Sequence, residues 1–305
     1  MSAARALPAL LFTLAACAGS THTSGSGRRV TAEQARAKLE RISPNRVQLW
    51  VVVHVRAHKT LAPDGSVDET KLIADTLASS EAVVNGGGDM IILINSRAEL
   101  PVYERVIGAV REKYPSFPLG ISALDYGPRN LLEGFRLAKK FNAQMVWCEV
   151  VPGEKIEYED DDGSYKPAEV VPLELALRTQ AEEKPDAIHT AGVHMKYTRP
   201  LDGRSFEDAL KAALGSVDGI NVTGPQTGVL ADVERVKTAR RIAGHYPIGL
   251  ASGVSTENVA EVIGSIDYAI VGTSLKSDED PLRTSEAKVR ALRNRMNELG
   301  GGPRS

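Results

Sequence analysis

The feature that most constrains the fold is an alternation of short apolar runs with amphipathic segments along most of the chain. Eight runs have the continuous, β-branched character of strands buried on both faces. They lie at 47–55, 88–95, 117–124, 143–150, 186–194, 217–224, 246–253 and 266–274. Segments with helical spacing separate them, and a last one covers 285–299. This alternation predicts an α/β fold built around a parallel sheet.

Two architectures share this pattern, a doubly wound sheet and a (βα)8 barrel. Small and polar residues gather at the C-terminal ends of the apolar runs, and four aspartates stand at the starts of runs: Asp89, Asp186, Asp218 and Asp267. Eight ordered units with polar chemistry at the strand ends favour the (βα)8, or TIM, barrel. The helical segment 31–42 lies outside the repeat, and we expect it to plug the N-terminal mouth of the barrel.

Length and composition fit one barrel domain over residues 30–305. The chain has 305 residues, of which 42% are hydrophobic and 25% charged, and its formal net charge is -2 at pH 7. Nucleic-acid binding normally requires a basic face, so this balance predicts no nucleic-acid partner. The two cysteines imply no disulfide framework. Whether the protein forms a homo-oligomer is left open.

Residues 1–29 differ from the rest of the chain. Arg5 precedes the apolar stretch "ALPALLFTLAAC", which is too short to span a bilayer, and a Gly/Ser/Thr-rich stretch follows Cys17. A run of small residues that ends in cysteine resembles a bacterial lipoprotein signal. We therefore expect a signal and tether, with a lipid on Cys17 that anchors the barrel to a bacterial membrane outside the cytoplasm. The alternative is a disordered tail or an over-long gene start, which would leave the protein in the cytoplasm.

The stretch "GLASGVSTENV" (249–259) follows the pattern of an anion site at a strand end. In (βα)8 barrels, the loops after the last two strands often bind phosphate, because glycines let backbone N–H groups approach an anion and a helix N-terminus adds positive charge. We expect Ser255 to cap the following helix. The predicted phosphate-binding residues are Thr223, Gly224, Ser252, Gly253, Gly272, Thr273 and Ser274.

Two long stretches of the second half carry a family pattern: "HTAGVHMKYTRPLDGRSFEDALKAALGSVDGINVTGPQTG" (189–228) and "ASGVSTENVAEVIGSIDYAIVGTSLKSDEDP" (251–281). They resemble the BtpA/SgcQ family, which is named for a factor needed for photosystem I stability. The resemblance runs from about residue 47 to the C-terminus and is strongest over 186–281. It implies a phosphate-binding TIM barrel, and it implies a fold and a site more firmly than a reaction.

The first half departs from the family pattern. His54 is kept, but the proline-rich loop that follows it in the family is absent, and Glu149 stands where the family has an amide. His194 and Lys196 are kept on the fifth run, while an acid and a second histidine are lost. The anion cradle therefore survives and the presumed reactive half is changed, which fits a changed substrate or a member that binds without catalysing.

Five residues lie at or near strand ends and are candidates for chemistry: His54, Asp125, Glu149, His194 and Lys196. Residues 194 and 196 share strand parity, so we expect both side chains to point into the mouth. Lys196 is interpreted as a counter-charge to phosphate rather than a Schiff-base nucleophile. Glu149 or His194 is interpreted as a general acid or base, and a structural role remains the alternative.

A metal site and a lid are two further roles that these residues suggest. His54, Glu149 and His194 form a chemically acceptable ligand set, but they come from separate strands with no local metal spacing, so no metal is predicted and no cofactor is named. The acidic run 154–167 lacks the spacing of an EF-hand. We interpret it as a solvated, mobile loop rather than a lid over the mouth.

Two functions are compatible with these observations. The first is binding of a phosphorylated small molecule at the barrel mouth, with acid/base isomerisation, carbon–carbon cleavage or group transfer on a sugar phosphate left open. The second is a non-catalytic, membrane-associated factor for assembly or stability of a membrane protein complex such as a photosystem. Fold alone does not decide between them. The sequence favours a ligand-binding barrel and assigns no reaction.

Overall fold

The computed structural model describes residues 28–123, 126–160 and 162–304. Within them, eleven strands follow one another along the chain: β1 (Gln48–Arg56), β2 (Met90–Ser96), β3 (Leu119–Ser122), β4 (Met145–Val150), β5 (Ile156–Glu159), β6 (Tyr165–Pro167), β7 (Ile188–Gly192), β8 (Thr198–Pro200), β9 (Gly219–Thr223), β10 (Ile248–Ala251) and β11 (Tyr268–Val271). The same residues form nine α-helices: α1 (Ala32–Ile42), α2 (Glu69–Asn85), α3 (Leu100–Lys113), α4 (Pro128–Lys140), α5 (Leu173–Glu183), α6 (Phe206–Ala213), α7 (Val233–Ala243), α8 (Val259–Val262) and α9 (Glu286–Met296).

Eight of these strands close into a parallel barrel in the order β1-β2-β3-β4-β7-β9-β10-β11. β1 pairs with β2, where Trp50 faces Met90, and also with β11, where Gln48 faces Tyr268. Because all eight strands have a neighbour on each side, and the first strand β1 pairs with the last strand β11, the sheet is closed and the doubly wound alternative is excluded. The predicted (βα)8 barrel is confirmed, and each of the eight apolar runs overlaps one barrel strand.

The barrel interior is filled by its own layer of apolar side chains. Trp50 and Tyr268 stack inside it with ring centroids 4.0 Å apart. The indole N–H of Trp50 donates to Gln48 at 2.9 Å, and the Tyr268 hydroxyl donates to Asn221 at 2.9 Å. A side chain at Gly249 would overlap the Tyr268 ring, since its Cβ would lie 1.9 Å from a ring carbon. Glycine at this position therefore makes room for the aromatic stack.

α1 covers the N-terminal end of the barrel. Its first turn carries a capping box: Thr31 accepts from the backbone N–H of Gln34 at 3.2 Å, and the Gln34 side chain accepts from the N–H of Thr31 at 3.0 Å. Leu39 is 1% exposed and packs into the interior layer. Its carbonyl accepts from the Gln48 side chain at 2.7 Å. The helix thus closes the end opposite the strand C-termini.

Three of the four aspartates at strand starts join the barrel to its outer elements. Asp267 accepts from the N–H of Ile248 at 2.9 Å and binds Arg36 at 3.0 Å and Arg240. Asp218 and Asp89 accept in the same way from the backbone of the neighbouring strand, at His189 and Leu49. Asp186 differs, because it is exposed and binds only Lys184 among the described side chains.

The acidic run 154–167 is not a mobile loop, and that expectation is wrong. β5 and β6 form an antiparallel hairpin, and β8 adds a third strand on the other side of β5. The ring of Tyr158 stacks on Tyr126 at 4.5 Å, and the guanidinium of Arg199 lies 3.4 Å from the ring centroid of Tyr165. The hairpin forms because residues 156–159 have the two-residue period of a strand before a polar turn.

Cys17 and Asp125 lie outside the described residues, so the lipid anchor stays a prediction. Cys148 is a free, buried thiol, and burial raises its pKa. None of the described helices is long and apolar enough to cross a membrane. Residues 28–304 include the closed barrel and the helix over its N-terminal end. They also include both clusters of buried apolar side chains. Because the barrel and its core lie within these residues, we expect this segment to fold on its own.

Candidate functional site

A cavity of about 250 Å³ opens at the C-terminal mouth of the barrel. Its floor is made by barrel side chains that include Val52, His54 and Trp147. Its walls are the loops after β9, β10 and β11, and the ammonium group of Lys196 enters from one side. The volume lies just below the usual range for drug-sized ligands, so the cavity is suited to a small metabolite.

Lys196 is held in place by two hydrogen bonds. Its Nζ donates to Ser252 Oγ at 2.6 Å, and its backbone N–H donates to Thr223 Oγ1 at 3.1 Å. Burial lowers the pKa of Lys196, and the nearby Glu149 carboxyl opposes this. Ser252 has a φ of 87°, a left-handed conformation that costs energy in a residue other than glycine. The strained turn fixes the hydroxyl that positions the ammonium group.

The loops after β10 and β11 are braced from within. The Asn258 side chain accepts from the N–H of Ser255 at 2.8 Å and donates to the carbonyl of Gly253 at 2.8 Å. Ser274 Oγ donates to the carbonyl of Val254 at 2.6 Å. The prediction that Ser255 caps the following helix is wrong, because α8 begins only at Val259 and is preceded by a separate turn.

Close packing explains two of the predicted glycines. A Cβ at Gly253 would lie 2.2 Å from the backbone nitrogen of Leu230, and one at Gly224 would lie 2.1 Å from the carbonyl oxygen of Val229. The loop after β9 therefore lies against both glycines. Of the seven predicted phosphate-binding residues, five line the cavity: Ser252, Gly253, Gly272, Thr273 and Ser274. Thr223 and Gly224 support the site from behind, whereas Thr227 and Gly228 line it and were missed.

The β1 side of the mouth is cationic. Burial, together with the charges of Lys276, Arg56 and Lys196, lowers the pKa of His54 to about 3, so its imidazole is neutral. Lys276 is 8% exposed, and its Nζ reaches Thr284 Oγ1 at 3.5 Å. Burial and the Arg56 charge lower its pKa to about 8. Sequence reasoning missed both cations, although Arg56 follows His54 by two residues and Lys276 directly follows the loop after β11.

Glu149 lies where β4 departs from regular pairing, between the register of Cys148 and that of Val150. Burial raises the pKa of its carboxyl, and the Lys196 charge opposes the rise. Burial thus disfavours the charged forms of both Glu149 and Lys196, while each charge stabilises the other. Glu149 does not line the mouth cavity but a separate, smaller cavity with Tyr126 and Cys148, so its link to the mouth is its charge on Lys196.

His194 is not brought into the cavity. β7 ends at Gly192 and His194 has a φ of 48°, so the parity argument for residues 194 and 196 is wrong. Its Nε2 lies 3.7 Å from Glu154 Oε1, and its ring packs edge-on to Phe206. Burial raises the pKa of Glu154 to about 7. The described residues contain no group of three His, Cys, Asp or Glu side chains placed to hold a metal ion.

The fold and the mouth define a (βα)8 barrel whose polar and charged side chains converge where its strands end. Within that class, a family model described as the BtpA family matches residues 48–298. The chain belongs to the BtpA family.

Relatives are known in archaea and in a cyanobacterium. An uncharacterised protein of Pyrococcus horikoshii is 28% identical over 228 residues, which cover 70% of this chain and 80% of the relative. The photosystem I biogenesis protein BtpA of Synechocystis is 29% identical over 130 residues, which cover 39% of this chain and 45% of that protein. This chain therefore matches less than half the length of the Synechocystis protein.

Solved structures share the fold at low identity. The phosphoribosyl anthranilate isomerase of Thermus thermophilus superposes with a TM-score of 0.50 at 15% identity, over 83% of this chain and all of that one. A tryptophan synthase structure from M. tuberculosis gives a TM-score of 0.54 at 13% identity, over 90% of this chain and 97% of that one. At these identities the similarity shows the fold alone.

Proposed function

We propose that the protein binds a small phosphorylated molecule at the C-terminal mouth of its barrel. The observation that carries the proposal is the cavity of about 250 Å³ between the loops after β10 and β11, with the Lys196 ammonium held at its edge by Ser252. Backbone N–H groups at such loops and a lysine beside them are the groups that bind phosphate in other (βα)8 barrels. The name of the Thermus thermophilus isomerase, a protein with the same fold, also refers to a phosphorylated substrate.

The charge at the mouth favours an anion as well. The charges of Lys196, Arg56 and Lys276 all lower the pKa of His54. Beside Lys196 lies the carboxyl of Glu149, and burial disfavours its charged form. Asp280 is a second carboxyl, which acts on Lys276, so two acids oppose three cations and a bound anion would complete the charge balance. A phosphate monoester carries close to two negative charges at neutral pH and would supply that partner.

Turnover, where it occurs, would use Lys196, which lines the cavity, to move a proton on the carbon chain of the ligand, and Glu149 would influence the protonation of Lys196 by its charge. The backbone N–H groups of the loops after β10 and β11 would hold the phosphate. This arrangement fits acid/base isomerisation or a related lyase or transferase reaction on a sugar phosphate. A non-catalytic role in assembling a membrane complex remains the alternative, suggested by the name of the Synechocystis relative.

The test is thermal unfolding of the segment 26–305 with inorganic phosphate, three- to five-carbon sugar phosphates and the same sugars without phosphate. We expect phosphorylated compounds alone to raise the midpoint, because a ligand that binds the folded state stabilises it. Lys196→Met should weaken binding about tenfold to a hundredfold, the value of a charge-assisted hydrogen bond. Lys237→Met is the matched control, since Lys237 is an exposed lysine paired with Glu234 on α7.

A second arm separates catalysis from binding. The compound that binds best is incubated with protein in heavy water, and exchange of its carbon-bound hydrogens is followed by NMR. Exchange that is lost in Glu149→Gln while binding persists would support catalysis. Binding without exchange would favour the non-catalytic alternative. The absence of a midpoint shift with every phosphorylated compound would overturn the proposal.

A further inference from the structure

A second and larger cavity lies at the opposite end of the barrel. It has a volume of about 370 Å³ and forms a groove between the segment that begins at Arg28, helix α1 and helix α5. One wall is apolar and consists of Val30, Ala37, Leu177, Ala181 and Pro185. We call this space the α1–α5 groove.

The other wall of the groove is basic, with Arg28, Arg29, Lys38 and Arg41. Two of these cations are already used within the fold. Arg29 donates to the carbonyls of Ala212 and Leu214 at 3.2 and 2.9 Å, and Lys38 binds the buried Asp218 at 2.9 Å. No carboxylate lines the groove among the described residues.

Arg28 and Arg41 remain available for a ligand. Both are exposed, and neither forms a hydrogen bond or an ion pair with another described residue. Asp186 lies near enough to feel the charge of Arg41, but both of its carboxylate oxygens are bound by Lys184, at 2.8 and 2.7 Å. Two free guanidinium groups thus flank an apolar wall.

Two guanidinium groups beside an apolar wall favour a ligand that has a phosphate group next to a hydrocarbon part. The planar fork of a guanidinium matches phosphate oxygens in geometry and charge, and it is weakly hydrated, so it binds them at low desolvation cost. The apolar wall suits the hydrocarbon next to such a headgroup, because covering it removes apolar surface from water. A free phosphate would leave that wall uncovered.

The position of the groove indicates a membrane as the source of this ligand. The groove begins at Arg28, and ten residues, 18–27, separate Arg28 from the predicted lipidation site Cys17. Ten extended residues span at most about 35 Å, so a lipid on Cys17 would keep this end of the barrel near the bilayer. The mouth cavity opens at the other end, where it stays accessible to a ligand from the aqueous phase.

We propose that the α1–α5 groove binds the headgroup of an anionic phospholipid and holds the N-terminal end of the barrel against the membrane surface. Arg28 and Arg41 bind the phosphate, and the wall that includes Ala37 and Ala181 contacts the adjoining hydrocarbon. Each basic group near an anionic surface strengthens attachment by a factor of about five, and the two arginines would add this to the hold of a lipid on Cys17.

The test is flotation of the segment 26–305, which lacks Cys17, with vesicles of phosphatidylcholine alone or mixed with phosphatidylglycerol. We expect binding only to the mixed vesicles. The double variant Arg28→Glu, Arg41→Glu should lower the partition coefficient at least thirtyfold, since each basic group near an anionic surface contributes a factor of about five. Ala181→Glu, a change at an exposed helix position, should weaken binding in the same direction without affecting the core.

The matched control is Lys59→Glu with Arg129→Glu. It makes the same change in net charge at two exposed residues far from the groove. Three results would overturn the proposal. The groove variants could still bind vesicles, the control could lose binding equally, or no binding could occur at all. Binding of short-chain glycerol phosphate without vesicle binding would also overturn it, by showing a free ligand instead. Lys196→Met should float normally, so failure of the mouth site and failure of the groove are distinguishable.

Discussion

At the scale of single residues, the loop after β10 depends on contacts that only glycine permits. Gly253 combines a φ of 78° with a Cβ position only 2.2 Å from the Leu230 backbone, whereas Gly65 has a φ of 84° and open space around it. We expect Gly65→Ala to cost about 1–2 kcal/mol for the left-handed conformation alone. Gly253→Ala should cost a further 1–3 kcal/mol, roughly, for the overlap. Urea unfolding of both variants measures the difference.

Equal losses at the two glycines would show that the loop after β9 moves aside at little cost. The sequence motif could not separate these roles, because "SGV" reads equally well as an anion-binding loop or a tight turn. Gly253 does line the cavity, but the backbone that crowds it belongs to a neighbouring loop that is distant in sequence. A steric requirement of this kind depends on tertiary packing and leaves no local pattern.

At the scale of elements, two of the aspartates at strand starts can be compared by substitution, one buried in an ion-pair network and one exposed. Asp267→Ala would leave Arg36, Arg240 and the N–H of Ile248 without their acceptor, and removing one partner of a largely buried ion pair typically costs about 3–5 kcal/mol. Asp186→Ala should cost under about 1 kcal/mol, because Asp186 is exposed and binds only Lys184 among the described residues. Chemical denaturation measures both values. Similar losses would contradict the assigned role of Asp267.

The elements themselves follow closely from the sequence. Continuous apolar runs such as "VQLWVVVHV" predict strands covered on both faces, and each becomes a barrel strand because helices lie outside and a side-chain layer fills the inside. The hairpin β5–β6 was missed because its charged composition outweighed the alternation of "IEYE". Its stability comes from Tyr158 on Tyr126 and from pairing with β8, which lies about 40 residues further along the chain.

The sequence predicted the residues of the candidate site only where their position at a strand end determines that they lie at the mouth. His54 lies at the mouth because β1 ends there, and parallel strands of a barrel end at one face. Lys196 reaches the mouth from the loop after β7, where Ser252 and Thr223 hold it. His194 does not, since the chain turns at Gly192 and directs the imidazole towards Glu154. Lys276 went unnoticed because its burial and its bond to Thr284 come from tertiary packing that no local spacing reveals.

At the scale of the whole molecule, the barrel has one end closed by α1 and one end open to ligand. A substitution at Leu39 tests whether these two ends behave independently. Leu39 is 1% exposed and belongs to the interior layer with Trp50 and Tyr268. Leu39→Ala should cost about 2–5 kcal/mol, as expected when a buried leucine leaves a cavity. Leu132→Ala, at a side chain 46% exposed on α4, should cost under about 0.5 kcal/mol.

Near-ultraviolet circular dichroism reports the same change directly, because the stacked rings of Trp50 and Tyr268 lie next to the vacated space. We expect Leu39→Ala to weaken that signal while phosphate-ester binding at the mouth changes less than about twofold, since distant sites without shared partners usually act additively. A large loss of ligand binding in Leu39→Ala at temperatures where the variant is folded would show that the interior layer couples the two ends. In that case the groove at α1 and the mouth cavity would communicate, and occupation of one would alter the affinity of the other by the same factor in both directions.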